Sequence, residues 1–174
     1  LLKIGRFREG WPEFEWRWQT EHFIRLKREW CVPQWDGQQL NGEIVLVHAE
    51  QGFGDTLQFA RYLPLLARRG ARGIVECPEA LVGLISNVEG VEQVVKIGDI
   101  LPRYDFHIPM MSLPGVFKTN FDNIPASVPY INVPEESRIK WRNRLSMRDE
   151  RPSIGLVWKG SNNHQRNDWR SPGL

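Results

Sequence analysis

The sequence predicts an α/β protein, a Rossmann-like and mostly parallel sheet with helices on both faces, preceded by a helical segment. Three observations carry this reading. From residue 44 onward, short apolar runs alternate with helix-patterned stretches, the rhythm of βαβ units. The first run, Ile44-Val45-Leu46-Val47, is apolar without alternation, as a parallel strand covered on both faces must be. Before it, Phe7, Trp11, Phe14 and Trp18 step by four, three and four, drawing one apolar stripe along a 3.6-residue helix.

Leu1 and Leu2 read as the end of an earlier helix, Gly5-Arg6-Phe7 as a turn, and the first 30 residues as helical. Pro12 is compatible only with the first turn of the striped helix. Such a half-hairpin cannot bury its stripe alone, so Trp11, Phe14 and Trp18 are expected to dock it on the sheet or on further repeats. Residues 31–43, with Pro33, Asp36-Gly37 and Asn41-Gly42, form a turn-rich linker. Strand 44–48 leads to a helix over 55–69, which stops at Arg68-Arg69-Gly70, basic residues before a glycine. Strand 73–77 precedes a short helix near 79–87. Residues 94–97 and 106–108 are further strands, and Ser112-Leu113-Pro114 starts a helix. A proline-marked loop leads to a helix at 135–146, and Ile154-Gly155-Leu156-Val157-Trp158 reads as a last buried strand.

Composition narrows the functional class. At 174 residues the chain can bury one full core, and no apolar run reaches the roughly 20 residues of a spanning helix. The N-terminus shows no basic-then-apolar leader, so the expected location is cytoplasmic. Cys31 and Cys77 make neither a disulfide framework nor a zinc spacing and read as reduced, partly buried thiols. Between Arg138 and Arg170 nine basic residues stand against three acids. That run reads as a solvated helix face, without the aromatic platform of a nucleic-acid binder.

The segment from His48 to Leu57 carries the chemistry: a strand end, a glycine turn and a helix start. Open α/β folds bind ligands at such junctions. Gly52 and Gly54 permit positive φ and close backbone approach. The nucleotide P-loop is excluded because its Lys-Ser/Thr pair is missing, and the dinucleotide fingerprint because Leu57 stands at the third glycine. Asp55 is either a helix cap or a base aimed at a ligand. His48 is a strand-end histidine or a ligand contact, and Glu50 and Gln51 follow it. After the last apolar run come Lys159, Gly160, Asn162, Arg166 and Arg170, polar groups that converge on the Asp55 turn if the two strands are neighbours. No Asp-x-Asp pair offers a metal clamp.

These residues resemble a known group. The run Leu2 to Trp18, with Gly-Arg-Phe-Arg-Glu-Gly-Trp-Pro inside it, is similar to the last repeat of bacterial tetratricopeptide-repeat (TPR) proteins in which the array precedes a glycosyltransferase-like domain. Trp35-Asp36-Gly37, His48-Ala-Glu-Gln-Gly-Phe-Gly-Asp-Thr-Leu-Gln-Phe-Ala-Arg-Tyr62 and Gly155-Leu-Val-Trp-Lys-Gly160 match the same group. Its transferase part is similar to the heptosyltransferases (glycosyltransferase family 9-like), which have the two-Rossmann GT-B architecture. The resemblance implies a repeat end at 1–30, a linker at 31–43 and an acceptor-side Rossmann-like domain at 44–174, ahead of a donor domain. It implies that Asp55 is the base of a metal-independent inverting transfer from a nucleotide sugar to a glycan or protein acceptor, with no cofactor. His48, Gln51, Gly52 and Gly54 would meet the acceptor; Lys159, Gly160, Asn162, Arg166 and Arg170 would face the cleft or the donor phosphate. The repeats imply protein partners, with no nucleic acid, and these 174 residues alone are expected to be inactive. The alternative is a binding or scaffolding module on the same fold.

Overall fold

A 3₁₀ turn, Leu2–Ile4, ends at Gly5 with φ 78°, and helix α1 (Phe7–Phe14) follows. The computed structural model describes residues 1–146 and 154–157. Two compact units make up the chain, Leu1–Pro134 and Glu135–Leu174.

Pro12 lies inside α1 rather than in its first turn. Its missing N–H leaves the Arg8 carbonyl without a helical partner, and the chain tightens into a 3₁₀ turn over Glu15–Gln19. This change of pitch splits the aromatic stripe. Trp11 packs near Phe7 and Phe14 and donates its indole N–H to the Thr119 carbonyl at 2.8 Å. Trp18 turns instead toward Phe23. Trp11, more than Trp18, therefore anchors the segment. Helix α2 (Glu21–Ile24) is the last helical piece, and residues 27–30, expected to be helical, have no regular structure. Arg28 and Trp30 reach across to the sheet from there.

The sheet has four parallel strands: β1 (Ile44–His48), β2 (Arg72–Cys77), β3 (Val91–Lys96) and β4 (Phe106–Pro109), in the order β3-β2-β1-β4. Between β1 and β2 run α3 (Phe53–Phe59), a 3₁₀ turn and α4 (Leu63–Arg68). Helix α5 (Val82–Ile85) links β2 to β3, and α6 (Leu113–Val116) follows β4. Val45 and Val47 of β1, Val75 and Cys77 of β2 and Ile108 of β4 meet Ala60, Leu63, Leu66, Ile85 and Leu113 from these helices in the main core. Their neighbours in the strands, Leu46, Ile74 and Val95, face the other way.

The β3-to-β4 crossover must pass to the opposite side of the sheet, because β4 lies beyond β1 and parallel crossovers are right-handed. Residues 97–105 do so without a helix, and Leu101 and Tyr104 pack with Trp30 on Leu46, Ile74 and Val95. The α/β parallel fold thus stands as read from the sequence: the helices between the strands pack on one face, and this crossover and the helical N-terminal segment cover the other. The segment 31–43 does more than link. Trp35 is 0% exposed, its amide donates to the His107 carbonyl at 2.9 Å, and Gln34 bridges to His107 alongside β4. Cys77 is buried but Cys31, in this same turn-rich stretch, is exposed; both are free thiols.

Gly70 closes α4 where the charge pattern predicted. It holds φ at 81°, and a Cβ added there would sit 2.1 Å from the Leu40 carbonyl oxygen. Gly70→Ala is therefore expected to cost about 2–4 kcal/mol, while Gly83→Ala, in α5 with open space around it, changes stability by about 1 kcal/mol or less. Urea unfolding of both variants checks this; equal midpoints would refute it.

In the second unit, α7 (Glu135–Ser146) forms as predicted, with Glu135 and Glu136 in its first turn and Arg144 in its last, each sign matching the helix dipole. Ile139, Trp141 and Leu145 are exposed. The strand expected at 154–158 does not form over its described residues. Ile154, Leu156 and Val157 are exposed and in no regular structure, for no strand among the described residues pairs with this run, and an apolar run becomes a strand only beside a partner. Trp158, Lys159, Gly160, Asn162, Arg166 and Arg170 lie outside the described residues, and so does their expected convergence on Asp55.

Candidate functional site

Strand order reverses between β1 and β4, and in parallel sheets the crevice beyond the carboxyl ends of such strands is where ligands bind. Alternation of side chains puts His48, Glu76 and His107 on the face away from the helices, where His48 pairs in register with Glu76. All three are buried, so each needs a partner.

The partners come from the N-terminal segment. Arg28 forks onto both carboxylate oxygens of Glu76, with Nη1 at 2.9 Å from one of them. Its guanidinium also lies 4.4 Å from the centre of the Trp30 ring. Trp30 in turn stacks on both imidazoles, at 4.3 Å from His107 and 4.5 Å from His48. His48 Nε2 lies 3.3 Å from His107 Nδ1, so one ring carries the shared proton and the other accepts it. Burial, then the charges of Arg28 and His107, push His48 down to about 2; burial and Arg28 push His107 down to about 4. Both rings are neutral near pH 7.

A second Arg–Glu pair closes the end of β1. Arg17 Nη2 donates to Glu50 Oε1 at 2.7 Å and to Ser112 Oγ at 2.7 Å, and its Nη1 donates to Glu15 at 2.8 Å. Glu50 also accepts the Met111 amide at 3.1 Å. Burial raises the Glu50 carboxyl above the usual range, outweighing Arg17, which lowers it. Between these two pairs lies a cavity of about 550 Å³, lined among others by Trp18, Phe23, Trp30, His48, Gln51 and His107.

The residues singled out from the sequence divide here. His48, Glu50 and Gln51 line the cavity. Gly52, Gly54 and Asp55 do not. Gly52 is the residue that caps α3, with φ −72°, and neither it nor Gly54 is among the positive-φ glycines, so the turn does not use the freedom expected of it. A Cβ at Gly54 would meet nothing within 4 Å. Asp55 stands in the first turn of α3, half-buried, and the N-cap position considered for it is held by Gly52, with no side-chain cap. Among the described residues no hydrogen bond or ion pair holds its carboxylate.

Sequence reasoning missed Arg17, Arg28, Trp30, Glu76 and His107 as members of the site. A signal was present for Glu76, a charged residue inside the apolar run Gly73-Ile74-Val75-Glu76-Cys77. A carboxylate there is buried by the strand and so requires a cation from elsewhere. Nothing local points to Arg28 as that cation. Among the described residues no cluster of three or more His, Cys, Asp or Glu side chains is placed to hold a metal ion, and no helix is long and apolar enough to cross a membrane.

Fold and site together define a parallel α/β protein of Rossmann-like strand order, with a cavity beside its topological switch point. No family matches the chain, and no solved structure matches it. It is similar to Protein FlbA of Caulobacter vibrioides, with 24% identity over 178 residues that cover 91% of this chain. The chain spans 30% of the length of that protein.

Proposed function

We propose that these residues form the acceptor-side half of an inverting, metal-independent glycosyltransferase, a GT-B type enzyme preceded by TPR-like helices and working in the cytoplasm. The observation that carries the reading is Asp55, a half-buried carboxylate just past β1 that is neither the N-cap nor, among the described residues, an ion-pair partner. The open glycine turn beside it leaves room for a hydroxyl-bearing acceptor, glycan or protein, with Gln51 exposed next to it.

In the transfer, Asp55 takes the proton of the acceptor hydroxyl as that oxygen bonds to the anomeric carbon. The bond from this carbon to the donor phosphate breaks on the opposite face, and the nucleotide leaves with the electron pair. Lys159, Gly160, Asn162, Arg166 and Arg170 are the candidates to meet the donor phosphates. Full-length protein with a panel of nucleotide sugars tests the reading. Asp55→Ala is expected to lower nucleotide release by about 10²–10⁴-fold with donor binding retained. Equal release by both proteins, or none by either, would overturn it.

One observation favours a second reading, a non-catalytic binding module that meets protein partners through its helices. The acids of the cavity, Glu15, Glu50 and Glu76, are all held by arginines, so the cavity itself offers no free base.

A further inference from the structure

From Thr20 to Gln34 the chain crosses the sheet on the face away from the connecting helices and walls the cavity of about 550 Å³. Both ends of this stretch are fixed. Arg17, just before it, is buried on Glu50 and Ser112. Trp35, just after it, is 0% exposed and gives its amide to the His107 carbonyl. The middle is held more loosely. Of residues 21–29 only Phe23 is buried, and among the described residues the backbone hydrogen bonds from Thr20 to Lys27 are all local. Side chains tie the stretch down: Phe23 against Trp18, Arg28 on Glu76, and Trp30 across His48 and His107.

The Glu76 side chain is 2% exposed and cannot keep its charge without a cation. Arg28, at 42% exposure, supplies that cation from the stretch above. A second cation can form beside it. His48 is the in-register neighbour of Glu76 on the same face of the sheet, so an imidazolium there would serve as Arg28 does. While the stretch is down, burial and the charge of Arg28 hold His48 at about 2 and His107 at about 4, and both rings stay neutral. Lifting it removes Trp30 and Arg28 together and admits water, which returns the imidazoles toward 6.5. Lys27, exposed on the rim, leaves with them. The other charged or titratable groups around the pair stay behind: Arg17 keeps Glu15 and Glu50, and Tyr104 belongs to the crossover. The lifted state thus binds protons that the closed state refuses. Its share grows as pH falls below 6.5, by up to about tenfold per pH unit for each ring. Lifting breaks only these side-chain contacts, whereas unfolding breaks the core as well, so the stretch leaves before the sheet melts.

We propose that residues 20–34 are a pH-sensitive strap over the crevice beyond β1 and β4: as the medium turns acidic it lifts, His48 replaces Arg28 as the cation beside Glu76, and the cavity opens. The inference rests on the strap's own contacts and holds whether or not Asp55 serves a transfer.

Thiol labelling tests it. Leu46 is 0% exposed in the patch that Trp30 covers, and Leu46→Cys places a reporter there. The native cysteines calibrate it: exposed Cys31 gives the intrinsic rate at each pH, and buried Cys77, on the helix-covered face, reports unfolding. Dithiodipyridine reacts in acid, and peptide mass spectrometry assigns each thiol. Relative to Cys31, the reporter is expected to gain at least about 20-fold between pH 7 and pH 5, while Cys77 gains nothing. Arg28→Gln should raise reporter labelling at pH 7 by about 10-fold or more. His48→Asn/His107→Asn should remove the pH dependence. In the unsubstituted chain the His107 amide, which donates to the Pro33 carbonyl at 3.2 Å, should exchange faster in acid relative to the amides of β1. The proposal is overturned if the calibrated reporter rate is the same at both pH values, or if reporter and Cys77 accelerate together. It also falls if the histidine double variant keeps the pH dependence, or if the His107 and β1 amides accelerate equally.

Discussion

Replacing Arg17 with methionine is expected to lower the unfolding free energy by about 3–5 kcal/mol, the largest loss from any single side chain of the N-terminal segment. The Arg17 side chain is 7% exposed and the Glu50 side chain 1%. Methionine keeps much of the volume but leaves Glu50 buried with the Met111 amide as its one remaining donor among the described residues. It also strips Ser112 Oγ of the guanidinium that donates to it and removes the cation lying 4.6 Å from the Phe14 ring. The cost is that of an uncompensated buried charge, not of the pair itself, so Arg17→Met/Glu50→Leu should recover most of it. Because burial already raises the Glu50 carboxyl, the single variant should lose less stability as pH falls and Glu50 takes up a proton. Urea unfolding of the two single variants and the double near pH 7 and near pH 5 measures both effects. A double variant as unstable as Arg17→Met would refute the account.

The second large effect is acid sensitivity from the histidine pair. In the unfolded chain each imidazole protonates near 6.5; in the fold His107 does so near about 4 and His48 near about 2. The unfolded state therefore binds more protons as pH falls below 6.5. Their contribution to stability is present above 6.5 and is lost on the way down, through about 4 for His107 and about 2 for His48. Glu50 acts with the opposite sign, since its raised carboxyl favours the fold at low pH and loses that advantage as pH rises. Between about pH 7.5 and about pH 4.5 the histidines dominate, with a loss on the order of 2–3 kcal/mol from each of the two. His48→Asn/His107→Asn should flatten this slope while leaving the Glu50 contribution in place. A parent whose urea midpoint is the same at both pH values would exclude a neutral pair stacked on Trp30.

The sequence by itself determined the class of fold. The apolar run Ile44-Val45-Leu46-Val47, the strand at 73–77 and the basic stop before Gly70 each lie where the periodicity puts them, because burial pattern and helix-end chemistry are local properties. The place of His48 and Gln51 at a strand end before a glycine turn was legible for the same reason, and both line the cavity. Tertiary structure decided the rest. Only the strand order, with β4 on the far side of β1, sets the switch point beside His48 and brings His107 to it from 59 residues away. Likewise only packing joins Arg28 to Glu76 across 48 residues and Arg17 to Glu50 across 33. A buried carboxylate announces that it needs a cation, but the choice of cation belongs to the path of the chain in space, and no period or spacing encodes it. The helix expected through residue 30 failed on the same ground. Local propensity favoured it, yet freeing Arg28 and Trp30 to cover three buried polar groups on the sheet outweighs the few tenths of a kcal/mol per residue, roughly, that helix preference supplies.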